Sequence, residues 1–402
     1  MLIVKKFGGS SVADKDRVFN VAKRIVADYD KGHRVVVVLS AQGDTTDDMV
    51  ALAKTYNINP SKREMDMLIT TGEQISVSLM ALALHELGYN AVSLNASQVG
   101  MYTTSIYGNA RIKDISAERI TNELERKNIV LVTGFQGINR HEDVTTLGRG
   151  GSDTTAVALA ASLRADKCEI YTDVDGVYTA DPRVVKTAKK IDEITYDEML
   201  ELASLGAKVL HSRSVEMAKK YGVELVVRSS MSDAEGTVVK EETTVEKMLV
   251  SGVAADKNIA RIAVVGIEDH PGSAFKLFNL MSKARVNVDI ILQSIGHNNT
   301  KDISFTVDIE DAQTAKEVLE QHKEALHYQE LSVDDKVAKV SLVGAGMQSN
   351  PGVASKMFEA MYDAGINIKM ISTSEIKISL LVDEKYVDEA VTAIHDEFAL
   401  GR

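Results

Sequence analysis

Short runs of consecutive apolar residues alternate with helical patterns over about the first 230 residues. The runs are rich in β-branched residues, which is typical of strands covered on both faces of a sheet. Between the runs, apolar residues recur every three or four positions, as on the buried side of an amphipathic helix. The predicted strands are Leu2–Lys6, Arg34–Leu39, Ala91–Leu94, Ile129–Val132, Glu169–Thr172 and Val223–Val227.

Two of the helical stretches end at a glycine. In the first, Val18, Val21 and Ile25 share one face and Gly32 follows as the stop, while the second ends at Gly88. Strand followed by helix, repeated this often, predicts an α/β fold with a mostly parallel open sheet and helices on both faces. Ligands bind such sheets at the carboxyl ends of strands, so the loops there are the candidate sites.

The last third of the chain contains an internal repeat. Residues 271–294 and 351–374 are identical at ten of 24 positions, and two of the four prolines, Pro271 and Pro351, are matched. Each copy predicts a βαββαβ unit, which is either structural or one half of a ligand-binding regulatory pair. The predicted domains are therefore 1–230 and, after a polar linker at 231–248, the two repeat regions 249–334 and 335–402.

Composition excludes several classes of protein. The 402 residues include 58 acidic and 46 basic side chains, a net charge of −12, which argues against nucleic-acid binding. No apolar run approaches the ~20 residues that span a bilayer, and no secretory signal pattern is expected at the N-terminus. The single cysteine, Cys168, cannot form an internal disulfide and favours a reducing compartment. A cytoplasmic enzyme or ligand sensor is expected, without a membrane partner.

The first candidate site follows the first predicted strand. Lys6, Phe7, Gly8 and Gly9 precede two serines and a helix. Glycines allow backbone N–H groups to approach a phosphate closely, and Lys6 would add a positive charge. Neither Gly-x4-Gly-Lys-Ser/Thr nor Gly-x-Gly-x-x-Gly is present, and an ordinary tight turn explains two glycines equally well.

An arginine flanked by glycines forms the second and more specific candidate. The segment Gly148–Asp153 reads Gly-Arg-Gly-Gly-Ser-Asp before a helix. Such a segment can form an anion-binding nest with a guanidinium beside it, and the arginine fork suits a carboxylate. Helix capping would explain Ser152 and Asp153 by themselves, but it would not explain three glycines around Arg149.

Three further polar segments lie at predicted strand ends or helix starts: Ser40–Asp47, Thr71–Gln74 and Tyr171–Tyr178 with its continuation to Arg183. Each could equally be an ordinary turn or a helix-dipole complement. A calcium loop at Asp173–Gly176 is rejected because Pro182 stands where the bidentate glutamate is needed. The chain also lacks the His or Cys pairs of a structural zinc site, and His211 is expected to be a helix-surface or core residue.

Five segments together resemble the motifs of the aspartokinase family, in order and spacing, over essentially the whole chain. They are Lys6–Ser11, Gly72–Glu73, Gly148–Asp153, Thr172–Tyr178 and Ala207–Leu210, with Ser10 in place of the commoner threonine. That family has the amino acid kinase fold, and the C-terminal repeat resembles its paired ACT domains. The resemblance implies ATP-dependent phosphorylation of the L-aspartate side chain to 4-phospho-L-aspartate, which leads to lysine, threonine and methionine.

The resemblance also implies residue roles. Lys6 would contact the transferring phosphoryl group, and Asp153 would orient Lys6 or the Mg²⁺-nucleotide. Arg149 would bind an aspartate carboxylate and Glu73 the ammonium group. The residues expected at ATP are Lys6, Phe7, Gly8, Gly9, Ser40, Thr172, Asp173, Tyr178, Arg183 and Lys208. Those expected at aspartate are Thr45, Asp47, Glu73, Arg149, Gly150, Gly151 and Ser152, with Ser40 at the border of that pocket.

Mg²⁺ is expected between the phosphates, carried largely by them and by water, with no side chain assigned to it. For the ACT pair, the resemblance implies feedback inhibition by lysine, threonine or both, and a homo-oligomer formed through these regions. The residues expected at the effector are Asp269, Gly272, Ser273, Ala274, Asn287, Asp289, Gln293, Asn367, Ile368 and Ser374. Two alternatives remain open: a kinase for another amino acid, and an amino acid sensor with a silent kinase fold.

Overall fold

The computed structural model describes residues 1–205, 209–243, 249–296, 299–347 and 350–402. They form two compact units, each assembled from separate parts of the sequence. The first unit takes Met1–Val177, Lys190–Ser204 and Lys208–Glu246, and the second takes Tyr178–Lys189, Leu205–Ala207 and Lys247–Arg402, as far as these are described.

The first unit contains twelve of the described strands and eight of the described helices. The strands are β1 (Leu2–Phe7), β2 (Arg34–Leu39), β3 (Ala91–Leu94), β4 (Met101–Thr103), β5 (Ile112–Ile115), β6 (Ile129–Thr133), β7 (Gln136–Ile138), β8 (Val144–Thr146), β9 (Lys167–Thr172), β10 (Glu193–Thr195), β11 (Leu225–Ser229) and β12 (Thr237–Lys240). The helices are α1 (Lys15–Tyr29), α2 (Thr45–Tyr56), α3 (Lys62–Ile69), α4 (Thr71–Glu86), α5 (Glu118–Glu125), α6 (Gly151–Leu163), α7 (Tyr196–Ser204) and α8 (Ser212–Tyr221).

Eight of these strands form the central sheet of the first unit, in the order β10-β12-β11-β9-β1-β2-β6-β3. Every neighbouring pair is parallel except β11 with β12. The predicted α/β class with a mostly parallel sheet is therefore confirmed. Since β9, β1, β2 and β6 are adjacent and parallel, their carboxyl ends lie side by side at one edge of the sheet.

Each predicted strand of this unit is present, whereas several short ones were not predicted. A small sheet, β5-β4-β7-β8, is built from strands of three or four residues, which are too short to show an alternating pattern. The sheet also extends past residue 230, the predicted end of the first domain, because β12 lies within the segment 231–248 that the sequence predicts to be a linker.

Helix α4 packs on the central sheet together with α1. Its residues Val77, Met80 and Leu84 are buried against Ile129 and Leu131 of β6. The stretch Lys62–Glu86 is long and apolar enough to cross a membrane by length and composition, but 56% of the apolar window is buried. The structure also divides this stretch at Thr70 into α3 and α4. These features are typical of a core helix.

The second unit contains six described strands and five described helices. The strands are β13 (Gly252–Glu268), β14 (Val288–Ile295), β15 (Thr300–Asp308), β16 (Glu330–Val343), β17 (Met370–Thr373) and β18 (Lys377–Asp383). The helices are α9 (Ser273–Lys283), α10 (Ala312–Gln321), α11 (Lys323–Leu326), α12 (Val353–Asp363) and α13 (Val387–Glu397). The strands form one sheet in the order β14-β15-β13-β16-β18-β17.

Strands β13 and β16 each serve both repeats. The part of β13 from Ile259 onward pairs with β15 of the first repeat, while its first part, Gly252–Asp256, pairs with Lys339–Val343 of β16. The latter stretch pairs on its other side with β18 of the second repeat. The strand that completes the second repeat therefore comes from the beginning of the predicted first repeat region, 249–334, ahead of the part of β13 that pairs with β15.

The two repeats share their backbone geometry as well as their sequence. Gly272 and Gly352, which precede α9 and α12, have φ angles of 96° and 101°. After these helices, Arg285 and Gly365 occupy equivalent left-handed positions, with φ angles of 61° and 68°. A side chain at such a position costs roughly 1–2 kcal/mol relative to the right-handed region.

We expect Gly365→Ala to lower the free energy of unfolding of the second unit by about 1 kcal/mol, because a left-handed position strains any side chain. A Cβ at Gly365 would meet no atom within 4 Å, so the cost would come from the backbone alone. The matched change, Arg285→Gly, should not destabilise the unit. Urea unfolding of the three proteins measures both effects, and equal midpoints for all three would contradict this interpretation.

Candidate functional site

An ion pair joins the first strand to the helix that follows the arginine loop. Lys6 Nζ lies 2.7 Å from Asp153 Oδ1, and the two side chains are only 12% and 11% exposed. Lys6 is near the carboxyl end of β1, and Asp153 is in the first turn of α6. Two residues separated by almost 150 positions, both expected to be catalytic, are thus brought together.

The turn after β1 is packed tightly against the loop that follows β2. A Cβ on Gly9 would lie 2.5 Å from the carbonyl oxygen of Ala41, so no other residue fits there without displacing the backbone. The Gly43 N–H donates to the Gly9 carbonyl at 3.1 Å. The Phe7 ring is buried and stacks on Tyr171 at 4.4 Å between ring centres. Phe7 can therefore offer only its backbone to a ligand at this turn.

The arginine loop leaves its guanidinium exposed at the start of α6. Gly150 has a φ angle of 66°, and a Cβ there would lie 2.3 Å from the side chain of His211, so glycine is required. Within the described part of the chain, the Arg149 side chain makes no hydrogen bond or ion pair. Ser152 instead accepts a hydrogen bond from Ser40 Oγ at 2.9 Å.

Helix capping does not explain Ser152 and Asp153. Gly150 precedes the first turn of α6, which receives no side-chain capping bond. Their side chains are directed to Ser40 and Lys6 instead. Since the amino end of α6 also carries positive dipole, the surroundings of Arg149 and Lys6 favour anions.

Glu73 is a buried carboxylate with an unoccupied oxygen. Its Oε1 accepts from the Ala41 N–H at 3.2 Å, while Oε2 is buried without a hydrogen-bond partner among the described residues. The residue is 3% exposed, and this burial raises the pKa of Glu73 to about 7. A cationic group that entered the site would supply the missing partner and favour the charged carboxylate.

Two hydroxyl groups that the sequence did not single out share this property. Ser76 Oγ and Thr133 Oγ1 are buried, and neither has a hydrogen-bond partner in the described chain. Ser76 lies three positions after Glu73 on the same face of α4, and Thr133 ends β6 on the face that α4 covers. The spacing Glu-x-x-Ser on a predicted helix was the available signal, but only the structure shows that both hydroxyls are buried.

The other residues expected at the ligands of the first unit lie on neighbouring loops. Thr45 and Asp47 are in the first turn of α2, and Thr45 Oγ1 donates to the Gln42 carbonyl. Thr172 ends β9, where its Oγ1 accepts from the Val174 N–H at 3.0 Å. Asp173 follows with an exposed side chain. The strand ends of β1, β2 and β9 therefore bring together most of the predicted site.

Two of the residues expected at the nucleotide do not belong to the first unit. Tyr178 and Arg183 belong to the second unit, where the Arg183 guanidinium forms an ion pair of 2.7 Å with Asp181. Lys208 lies outside the described residues. Their role at the nucleotide stays a prediction.

A buried charge cluster lies on the opposite face of β1. Lys5 Nζ is 2.6 Å from Glu169 Oε2 and 2.5 Å from Asp28 Oδ2, and it is also within 3.2 Å of the Tyr171 hydroxyl. Burial opposes the charge on Glu169, but the Lys5 and Lys167 ammonium groups together outweigh burial and lower the pKa of Glu169 to about 2. Since neighbouring side chains point to opposite faces of a strand, this cluster fixes β1 from behind while Lys6 faces the site.

Seven of the ten residues expected at the effector lie in the first repeat, at two different ends of it. Asp269 follows the carboxyl end of β13, beside an open cleft of about 780 Å³. Asp289 lies at the start of β14, at the opposite end of the repeat. Its neighbour Val288 and Ala260 of β13 both pair with Val307 of β15, so this end lies beside the beginning of the β13 segment that pairs with β15. Gly272, Ser273 and Ala274 lie at the Asp269 end, and Gln293 on β14 is closer to that end than Asp289 is. Asn287 lies at the other end, just before β14 and near Asp289.

The start of β14 meets the equivalent part of the second repeat. Ile290 and Met370, which are matched in the two repeats, pack in one small core with Val337. Asn367 and Ile368 precede β17, where Ile368 packs against the separate core of the second repeat, and Ser374 follows β17. The two repeats therefore contact each other near the start of β14, at the end of the first repeat away from the Asp269 loop.

Within the described residues, no three His, Cys, Asp or Glu side chains are grouped so that they could hold a metal ion. The donors at the sheet edge are chiefly an ammonium, a guanidinium and backbone N–H groups. This set suits anionic ligands, and it is compatible with a cation that arrives bound to phosphate.

Comparisons with known proteins give the same outline over the whole chain. The profile of the amino acid kinase family matches residues 1–229, and that of the ACT domain matches residues 262–322 and 340–398. An aspartokinase of Bacillus sp. (strain MGA3) is 52% identical over 401 residues, which is 100% of this chain and 98% of that protein.

Comparison with solved structures also finds aspartokinases over nearly the whole chain. Aspartokinase III of E. coli in complex with aspartate and ADP (R-state) superposes with a TM-score of 0.84 at 27% identity over 99% of both chains. The same enzyme in complex with lysine and aspartate (T-state) gives 0.78 at 28% identity, again over 99% of both.

We expect Glu73→Gln to stabilise the free protein above pH 7. A protein with a carboxyl whose pKa is near 7 in the folded state and about 4.3 in the unfolded state loses stability as the pH rises between these values, by about 4 kcal/mol in total. Glutamine removes this loss because it does not titrate. Unfolding midpoints of both proteins from pH 4 to pH 8 test the prediction, and parallel curves would contradict it.

Proposed function

The chain belongs to the aspartokinase family, whose members transfer a phosphoryl group from ATP to the side-chain carboxylate of L-aspartate, and we propose that Lys6, Asp153, Glu73 and Arg149 are the residues that perform this reaction here. The observation that carries the proposal is that the Lys6–Asp153 ion pair and the Glu73 carboxylate, whose Oε2 has no partner among the described residues, occur at one edge of one sheet. The full-length similarity to aspartokinases favours aspartate over the alternatives of another acceptor or a silent kinase fold.

Lys6 acts on the transferring phosphoryl group. The reaction brings the anionic γ-phosphate and the anionic aspartate side chain together, and a carboxylate needs no base near neutral pH. Catalysis therefore consists of positioning and charge neutralisation. Asp153 holds the Lys6 ammonium in place from 2.7 Å, while the backbone N–H groups of Gly8 and Gly9 and the amino end of α6 offer further donors.

Aspartate binds between the arginine loop and α4. Arg149 is exposed and uncommitted among the described residues, so its guanidinium is available for a substrate carboxylate. Glu73 Oε2 takes the substrate ammonium, which supplies the partner this oxygen lacks. Ser40, Ser152 and Thr45 border the same pocket with their hydroxyls.

ATP occupies the carboxyl ends of β1 and β9, with Thr172 and Asp173 beside it. The roles of Tyr178, Arg183 and Lys208 at the nucleotide rest on the family resemblance alone. Mg²⁺ would be held chiefly by phosphate oxygens and water rather than by side chains of this chain, and it would supply charge neutralisation at the transferring group. The buried Cys168 suits a cytoplasmic location.

The ACT repeats regulate the activity, and we propose lysine, threonine or both as effectors. E. coli aspartokinase III has been solved with lysine, which supports lysine as one candidate. The effector would bind at Asp289 and at the Asp269 loop. Because these lie at opposite ends of the first repeat, one chain alone does not unite them.

A homodimer through β14 would bring Asp289 close to the same loop of a second chain. This strand is an edge of its sheet and exposes Ile291 and Ile295. Such an unpaired edge can pair with its own copy, and antiparallel pairing about a two-fold axis opposes the two ends of the strand. This dimer is proposed on those grounds.

Lys6→Ala should reduce kcat by about 10²-fold or more, because one positioned charge that stabilises the transition state is lost. The measurement is acyl-phosphate formation from ATP and aspartate, trapped with hydroxylamine. Lys23→Ala, an exposed lysine on α1, is the control and should retain full activity. Near-normal turnover of a folded Lys6→Ala protein would contradict the assigned role.

Arg149→Ala should raise the KM for aspartate by about 10- to 100-fold, which corresponds to a charge-assisted hydrogen bond of roughly 1.5–3 kcal/mol. The KM for ATP should change much less. Since Arg149 is exposed, folding should be unaffected. Steady-state kinetics with each substrate varied in turn gives both constants, and the reverse ranking would reassign Arg149 to the nucleotide.

A further inference from the structure

The two ACT repeats contain matched charge clusters. Their first strands, Ile259–Gly266 and Val337–Gly344, align with a shift of 78 residues, and Ile259 and Val337 pair with each other. The matched residues are Asp256 with Asp334, Arg261 with Lys339, Asp308 with Asp383 and Asp289 with Lys369. Three of these four matches conserve the sign of the charge, and the fourth reverses it.

In the second repeat, a lysine of the same repeat pairs with both carboxylates of the cluster. Lys369 Nζ lies 2.8 Å from Asp334 Oδ2 and 2.5 Å from Asp383 Oδ1. Two carboxylates thus share one tethered ammonium, and Arg261 lies opposite Asp334 on the neighbouring strand. The four charges of this cluster sum to zero.

The first repeat has no lysine at the position that matches Lys369. Asp289 stands where Lys369 would be, so three carboxylates, Asp256, Asp289 and Asp308, face the single cation Lys339. Lys339 Nζ is 2.5 Å from Asp289 Oδ2 and 3.9 Å from Asp256 Oδ2, and the Lys339 side chain is only 6% exposed. Burial and the charge of Asp256 raise the pKa of Asp308, which reflects the surplus of negative charge.

We propose that Lys339 is an internal competitor for the effector: its ammonium occupies Asp289 in the free enzyme, and the ammonium of an amino acid effector displaces it toward Asp256. The inference rests on the proposed function, in which Asp289 binds the effector. The pairs in the second repeat supply the geometric precedent, since Asp334 and Asp383, the counterparts of Asp256 and Asp308, hold an ammonium there.

The charges make such an exchange feasible. Lys339 lies opposite Asp256 in the β13–β16 ladder, so it keeps a carboxylate partner after it leaves Asp289. The incoming ammonium reduces the surplus negative charge of the cluster from two to one. Because the effector must displace a bound group, its apparent affinity is reduced by the fraction of enzyme in which Asp289 is already paired.

The test measures inhibition of the full-length enzyme by L-lysine, by L-threonine and by both together. Lys339→Met should lower the effector concentration for half-inhibition by about tenfold, since the competitor is gone. Lys339→Arg should raise it, because a guanidinium binds Asp289 through two hydrogen bonds and competes better. Lys257→Met is the control, since this exposed lysine of the same unit pairs with Asp388 outside the cluster, and it should leave half-inhibition unchanged.

Asp289→Asn separates failure of the inference from failure of the proposed effector site. If Asp289→Asn weakens inhibition while Lys339→Met leaves half-inhibition unchanged or raises it, the competitor role is wrong and the site stands. If Asp289→Asn has no effect, or if neither amino acid inhibits the wild type, the effector site is wrong and the inference falls with it. Should Lys339→Met fail to fold, Lys339→Arg decides, because an unchanged or lower half-inhibition concentration would overturn the proposal.

Discussion

The active site depends on one ion pair, between Lys6 at the end of β1 and Asp153 at the start of α6. It places an ammonium where two anionic substrates must meet, and it ties the first strand to the arginine loop. Without a partner, a lysine at this position would be free to leave the site. With Asp153 at 2.7 Å it is held at a defined point, which is what phosphoryl transfer by charge neutralisation requires.

The remainder of the first unit keeps that pair in position. On the opposite face of β1, the buried Lys5–Glu169–Asp28 cluster fixes the strand, and Gly9 permits the next turn to lie against the loop after β2. Glu73 and Arg149 are left without charged partners inside the described unit. The pocket therefore holds its catalytic cation firmly and reserves the other charges for substrates.

Sequence patterns predicted the sheet well, because strands such as β2 are apolar over consecutive residues, here Val35–Leu39, and end at clear turns. They could not predict the burial of Ser76 and Thr133, since polar residues near strand and helix ends are ordinarily exposed. Sequence patterns also could not predict the shared strands of the ACT repeats. Gly252–Asp256 pairs with a strand more than 80 residues later in the sequence, and no local signal encodes such a pairing. Charge reversal at Asp289 and Lys369 was visible in the aligned repeats, but its meaning required the distances to Lys339.

A double-mutant cycle on kcat tests the central claim most directly. Lys6→Ala, Asp153→Ala and the double variant are compared in the hydroxylamine-trapping assay, with folding checked by thermal unfolding. If Asp153 acts by holding Lys6, the double variant should be about as slow as Lys6→Ala alone. Once the Lys6 ammonium has been removed, Asp153 has nothing left to position, so its removal has no further effect on kcat. If the two single effects multiply, the residues act independently, and the account of the site built on their ion pair is wrong.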